Sequence, residues 1–140
     1  MDETGKLLAK SARAITAAEV LLRENQADFA AGRAYYAMFY VAEALLGERG
    51  LHFRKHAGVH AAFAEHFAKT ARLAPKFHRW LLDAFDLRLT GEYGVETVIS
   101  PEDTRRLIDQ AKEFLQEAGR FLEQTDEETT ETDRKEGPPT

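Results

Sequence analysis

The chain contains no cysteine, so neither disulfides nor thiolate metal ligands contribute to its stability or chemistry. Proline is nearly as scarce: only Pro75 and Pro101 precede the terminal Pro138-Pro139, and each stands where a helix would open rather than inside one. No alternating apolar and polar stretch reads as a strand, apart from a short connector from Val95 to Ile99. The most apolar run, Ala34 to Leu46, has thirteen residues, against the ~20 that a membrane span requires. Histidine is absent after His78. Without cysteine, a leader-like segment or a span, the expected setting is the cytoplasm.

What is present is helical. The 140 residues suffice for one domain with a core of its own. Apolar residues recur at three- and four-residue steps in five segments, predicting an all-α, up-and-down bundle of about five helices, four long and one shorter. The first helix is expected from Gly5 to Glu24 and the second from an Asp28 cap to a Gly50 cap. A third reaches about Ala71, with Val59, Phe63, Phe67 and Thr70 inward. The fourth opens with Pro75 as its first residue and runs to about Tyr93. The fifth opens at a Ser100 cap and carries Leu107, Ile108, Ala111, Leu115, Ala118 and Leu122 inward. Residues 1–124 form the expected domain. Residues 125–140 read as an acidic disordered tail, with six acids against Arg134 and Lys135 between Asp126 and Glu136.

Charge in the body is uneven. Between Arg49 and Leu82 lie seven basic residues, the single acid Glu65 and all five histidines. Such clustering is the footprint of an anionic partner, unless it merely balances acidic helices on either side. His56 and His60 are four apart, a spacing that zinc ligands use, yet no acid precedes Glu65 in this segment. Capping and packing at a helix start is the expected role, and neither metal nor cofactor is expected.

The second helix is apolar nearly all round, with Glu43 the one charge between Ala34 and Leu46, so it is expected at the centre, with an overbuilt face suited to homodimerisation. Arg33 falls on a stripe with Tyr36 and Tyr40. Of the three tyrosines, Tyr35 is the one expected to be partly exposed. On the fourth helix Arg88 lies four after Ala84, seven after Leu81 and eleven after Phe77, a permanent charge on the apolar face. Unpaired burial there would be costly, so it either meets Glu92 or Glu43 or faces a phosphate in a cleft. If Arg33 and Arg88 converge, they make a bipartite phosphate clamp.

Three blocks carry a likeness to a known family: Gly32 to Leu46; Lys55-His56-Ala57-Gly58-Val59 with Phe63; and Arg88-Leu89-Thr90-Gly91-Glu92-Tyr93. In order and spacing the chain resembles the HEPN proteins, small helical proteins, from about residue 5 to residue 124. Many of these are metal-independent ribonucleases in which an arginine is followed four to six residues later by a histidine, two copies meeting across a dimer. Here Arg88 takes the arginine position, while Glu92 and Tyr93 stand where the histidine would be. The resemblance thus implies a nucleotide- or RNA-associated accessory protein without the usual acid–base histidine. It further implies a homodimer and a partnership with a minimal nucleotidyltransferase in a toxin–antitoxin-like module. Arg33, Lys55, His56 and Arg88 are the phosphate-binding candidates; Arg88, Glu92 and Tyr93 are the catalytic ones; Tyr93 is the candidate for modification. Two rival readings are a ribonuclease with a variant site drawn from the His52 to His78 region and a purely structural dimeric module.

Overall fold

The computed structural model describes residues 2–94 and 99–135, except for the side chains of 92, 93 and 126–135. Among the described residues there are five α-helices and no strand: α1 (Glu3–Arg23), α2 (Ala27–Gly47), α3 (His56–Phe63), α4 (Lys76–Tyr93) and α5 (Pro101–Lys135). A π-helical turn, Ala64–Ala68, continues α3. The Val95 to Ile99 connector lies outside the described residues for all but Ile99. The acidic side chains from Asp126 onward, assigned to a disordered tail, also lie outside them. None of these helices is long and apolar enough to cross a membrane.

Each helix end has a local cause. Asp2 caps α1 by accepting the Gly5 N–H at 2.7 Å. Asn25 adopts the left-handed conformation (φ 62°) that closes it, with Gln26 N–H donating to the Leu21 carbonyl at 2.8 Å. That tight closure lets α2 begin at once, so Gln26 is its cap and the expected cap, Asp28, instead sits in the first turn, where its carboxylate suits the helix dipole. Gly50 (φ 75°) ends α2 in a six-to-one closure, Leu51 N–H to Leu46 O at 3.0 Å, as its sequence position suggests. Ser100 Oγ accepts the Asp103 N–H at 3.0 Å, the expected opening of α5. Pro75 is the cap of α4 rather than its first residue.

The third helix departs from expectation. Instead of running evenly to Ala71 it widens at Ala64, where the Lys69 N–H reaches back five residues to the Ala64 carbonyl at 2.8 Å. Phe67 stays buried, but the extra residue per turn swings Thr70 into solvent, where its hydroxyl bonds the His66 carbonyl at 2.8 Å. Ala71 then takes a left-handed φ of 56°. An exposed alanine in that conformation is strained by about 1 kcal/mol, so Ala71→Gly is expected to raise the free energy of unfolding by roughly that amount. A urea melt of the variant checks it.

The core is built around α2, which packs against α1, α3, α4 and α5, while α1 also packs directly on α5. Thirteen of its residues are buried, six of them alanines, and α1 approaches closely enough for Ser11 Oγ to donate to the Ala37 carbonyl at 2.8 Å. The apolar excess read as a dimerisation face is largely consumed inside the bundle. Phe29, 60 % exposed, is the one large apolar side chain of α2 left well exposed. Gly91 fixes the approach of α4: a Cβ there would lie 3.1 Å from the Asp28 carbonyl oxygen and 3.0 Å from Ile99 Cδ1. The last turns of α4 are thereby held against the first turns of α2.

Candidate phosphate site

Arg88 lies one turn before Gly91, so the close approach of α4 sets its guanidinium on the aromatic rings of α2. Its Cζ is 5.1 Å from the Tyr36 ring centroid, 5.6 Å from that of Tyr35 and 5.8 Å from that of Phe85. Arg33, exposed on α2, places its Cζ 5.2 Å from the same Tyr36 ring. The two guanidiniums therefore converge on one half-buried tyrosine, each in cation–π contact with its ring. Of the two carboxylates considered for Arg88, Glu92 has its side chain outside the described residues. Burial raises the Glu43 carboxyl above the usual range, with Lys10 opposing and Glu3 adding to the effect, and the Glu43 charge also acts on the Tyr35 hydroxyl.

The exposed tyrosine edge is not the one expected. Tyr35 is fully buried, whereas Tyr36 and Tyr40 are half-buried on the outer stripe, with Lys10 Nζ 4.7 Å above the Tyr40 ring. The reason is the coverage of α2: α3 and α4 close over the face that carries Tyr35. There its hydroxyl meets His56 Nδ1 at 2.6 Å and His60 Nε2 at 2.8 Å. His56 stacks on Phe39 at 4.5 Å between ring centroids and lies 5.8 Å from the Tyr36 ring that carries both guanidiniums. Arg33, Arg88 and His56 are thus gathered around Tyr35 and Tyr36. Lys55 is the exposed cap residue just before His56 and makes no side-chain cap bond. Tyr93, like Glu92, has its side chain outside the described residues. Among the described residues no three histidines or carboxylates gather to hold a metal ion.

Burial dominates the electrostatics of the inner groups. It lowers His60 to about 4, the positive charges of His56 and His78 acting in the same direction and Asp86 opposing. It raises the Tyr35 hydroxyl above the usual phenol range, against the pull of Arg88. A histidine depressed in the folded state binds its proton more readily when unfolded, so its contribution is full above the unfolded value near 6.5 and is lost as pH falls toward 4. The protein is expected to lose on the order of 2 kcal/mol of stability from this group between pH 6.5 and 4. His78, also lowered by burial, adds in the same sense. Denaturant melts across this range check the slope, which His60→Gln should flatten.

Sequence reasoning named Arg33, Arg88 and His56 but missed Tyr35 and His60 as their supports. The signal was there, since a buried tyrosine needs a polar partner and His56 and His60 share a helix face. An apolar run simply does not say which segment will cover it.

The family model of the HEPN domain matches residues 4–123. A UPF0332 protein of Gloeobacter violaceus is 37 % identical over 123 residues, covering 87 % of this chain and 98 % of its own. A protein of Methanocaldococcus jannaschii whose name marks it as a candidate toxin is 32 % identical over 120 residues, 86 % of this chain and 82 % of its own. A UPF0332 protein of Thermotoga maritima is 36 % identical over 106 residues, 76 % and 80 % respectively.

Proposed function

The chain belongs to the HEPN family, and on that premise we propose that it is the toxin-like member of a two-component module whose Arg33–Arg88 face receives phosphate groups of a nucleotide or RNA. The observation that carries this reading is the meeting of two guanidiniums from different helices on the Tyr36 ring. Guanidiniums drawn from two helices to one ring carry planar donors of the kind that suits phosphate oxygens. In this reading Lys55 and His56, at the opening of α3, are further residues offered to the phosphate. The toxin side of the reading draws on relatives named as candidate toxins.

In this reading the partner is a minimal nucleotidyltransferase, with Tyr93 the residue it modifies, and the protein works in the cytoplasm as a homodimer. Phe29, exposed at the start of α2 near Arg33, belongs to the surface such a dimer would cover. The test is a fluorescence-anisotropy titration of the full chain with labelled RNA and with a labelled adenine nucleotide at low salt. Saturable binding that inorganic phosphate displaces supports the reading; no binding at millimolar phosphate-bearing ligand sinks it.

A further inference from the structure

Toward the other end of α2 from Arg33 the bundle leaves a hollow of about 190 Å³, enclosed by the first turns of α1, the last turns of α2, the connector that follows Gly50, and α3. Glu43, on its wall, lies ten residues after Arg33 on the same helix, so roughly 15 Å along α2 separates it from that arginine. The lining is apolar where it is deepest, with Leu46 and Val59 buried and Leu51 partly so. Phe53, 39 % exposed, forms one side. It can lie over the start of α3 because residue 58 is glycine: a Cβ there would stand 3.1 Å from Phe53 Cδ1.

Three polar side chains line the same hollow, Glu3, Glu43 and His52. Among the described residues none of the three takes part in a hydrogen bond or an ion pair, whereas Glu48, in the next turn after Glu43, accepts one from Thr4 Oγ1 at 2.6 Å. Polar groups that meet over an apolar lining without protein partners are the general mark of a small-molecule site. The charge here is negative. Burial raises the half-buried Glu43 carboxyl above its usual range, Glu3 adds to the effect, and Lys10, which stands over the Tyr40 ring, does not cancel it. A cation placed in the hollow relieves both the burial and the repulsion.

The lining decides which kind of cation. Among the described residues no three acids or histidines gather to hold a metal ion, and leucine, valine and phenylalanine offer a metal no ligand. They do suit the hydrocarbon part of an organic amine, whose charged head can also rest on a ring face. At ~30 Å³ for each water displaced, the space takes the place of about six waters, so the ligand is small. A nucleotide is too large for it and carries the wrong sign. We propose that this hollow binds a small alkylammonium, a primary amine on a chain of about four carbons, with its charge at Glu43 and Glu3 and its hydrocarbon against Leu46, Val59 and Phe53. The hollow is more enclosed than the other grooves on the surface, which fits a free amine better than a lysine side chain presented by a second protein. Nothing in this inference depends on the phosphate site.

The experiment titrates the full chain with butylamine in an amine-free buffer, by calorimetry and by NMR of the Glu43 side-chain carboxyl, with 1-butanol, butyrate and Nα-acetyl-lysine amide as comparisons. Saturable binding of butylamine, at least about tenfold tighter than that of the alcohol or the acid, is expected. The Glu43 carboxyl should titrate at lower pH when the amine is bound, because a neighbouring cation favours its charged form. Glu43→Gln keeps the shape and removes the charge, and is expected to weaken butylamine binding by about tenfold or more while the urea melt stays close to that of the parent. Should that variant fail to fold, Glu3→Gln on the exposed rim gives the reading, with an expected loss of about threefold. Butylamine bound no more tightly than butanol overturns the proposal. So does a Glu43 titration that the amine leaves in place, an affinity that neither substitution lowers, or binding of the lysine derivative without binding of butylamine.

Discussion

Truncating Phe114 to alanine is expected to destabilise the protein by about 3–5 kcal/mol, a large share of the roughly 5–15 kcal/mol that holds a domain of this size together. Phe114 is fully buried, stacks on Phe77 of α4 at 5.0 Å and meets Phe63 of α3 edge-on at 5.4 Å. It is the point at which α5 holds α3 and α4 together. The cavity left behind would be lined by rings that cannot collapse without moving helices, which places the cost toward the upper end. Because α3 carries His56 and α4 carries Arg88, loosening this joint should also weaken phosphate binding from a distance. Phe114→Leu fills most of the volume and should recover most of the loss. Urea melts of both variants, read by circular dichroism, give the comparison.

Arg88→Ala is expected to weaken phosphate binding more than it weakens the fold. A guanidinium that contributes one charge-assisted interaction with phosphate is worth about 1.5–3 kcal/mol, so the dissociation constant should rise roughly 10- to 100-fold. The side chain is half-buried over rings, and losing its cation–π contacts costs about 0.5–2 kcal/mol of folding energy. Arg33→Ala should weaken binding too, but by less, because Arg33 is exposed to solvent and screened. Arg88→Lys keeps the charge and loses the planar fork; recovery of less than about a third of the lost binding energy would mark the geometry, rather than the charge alone, as what matters. Anisotropy titrations at two salt concentrations separate the two contributions.

The bundle was legible in the sequence because each helix declares itself twice, by apolar spacing and by its ends. Gly50, Ser100 and Pro101 punctuate the chain where the structure does. Where the reading slipped, it slipped on matters that local pattern does not encode. Asp28 looks like a cap, but the left-handed Asn25 moves the start of α2 forward. Thr70 falls on the inward face of a regular helix, but the π-turn at Ala64–Ala68 adds a residue and rotates it outward. Tyr35 stands beside the Arg33 stripe and looked exposed; which face of an all-apolar helix is left open depends on where α3 and α4 settle.

The same distinction holds at the site. Arg88 on an apolar stripe was visible as a charge in need of a destination, and Arg33 as a charge beside tyrosines. Their convergence on Tyr36 was not, because it follows from the approach of α4 to α2 that Gly91 permits.

The most direct measurement is an NMR titration of the full chain with inorganic phosphate, following the side-chain guanidinium signals of Arg33 and Arg88 and the ring signals of His56. Joint, saturable shifts of all three with a single dissociation constant, absent from Arg13 and Arg105 on the outer faces of α1 and α5, are the expected result. Shifts scattered evenly over the surface arginines, or none at Arg88 while others respond, would contradict a built phosphate site on this face.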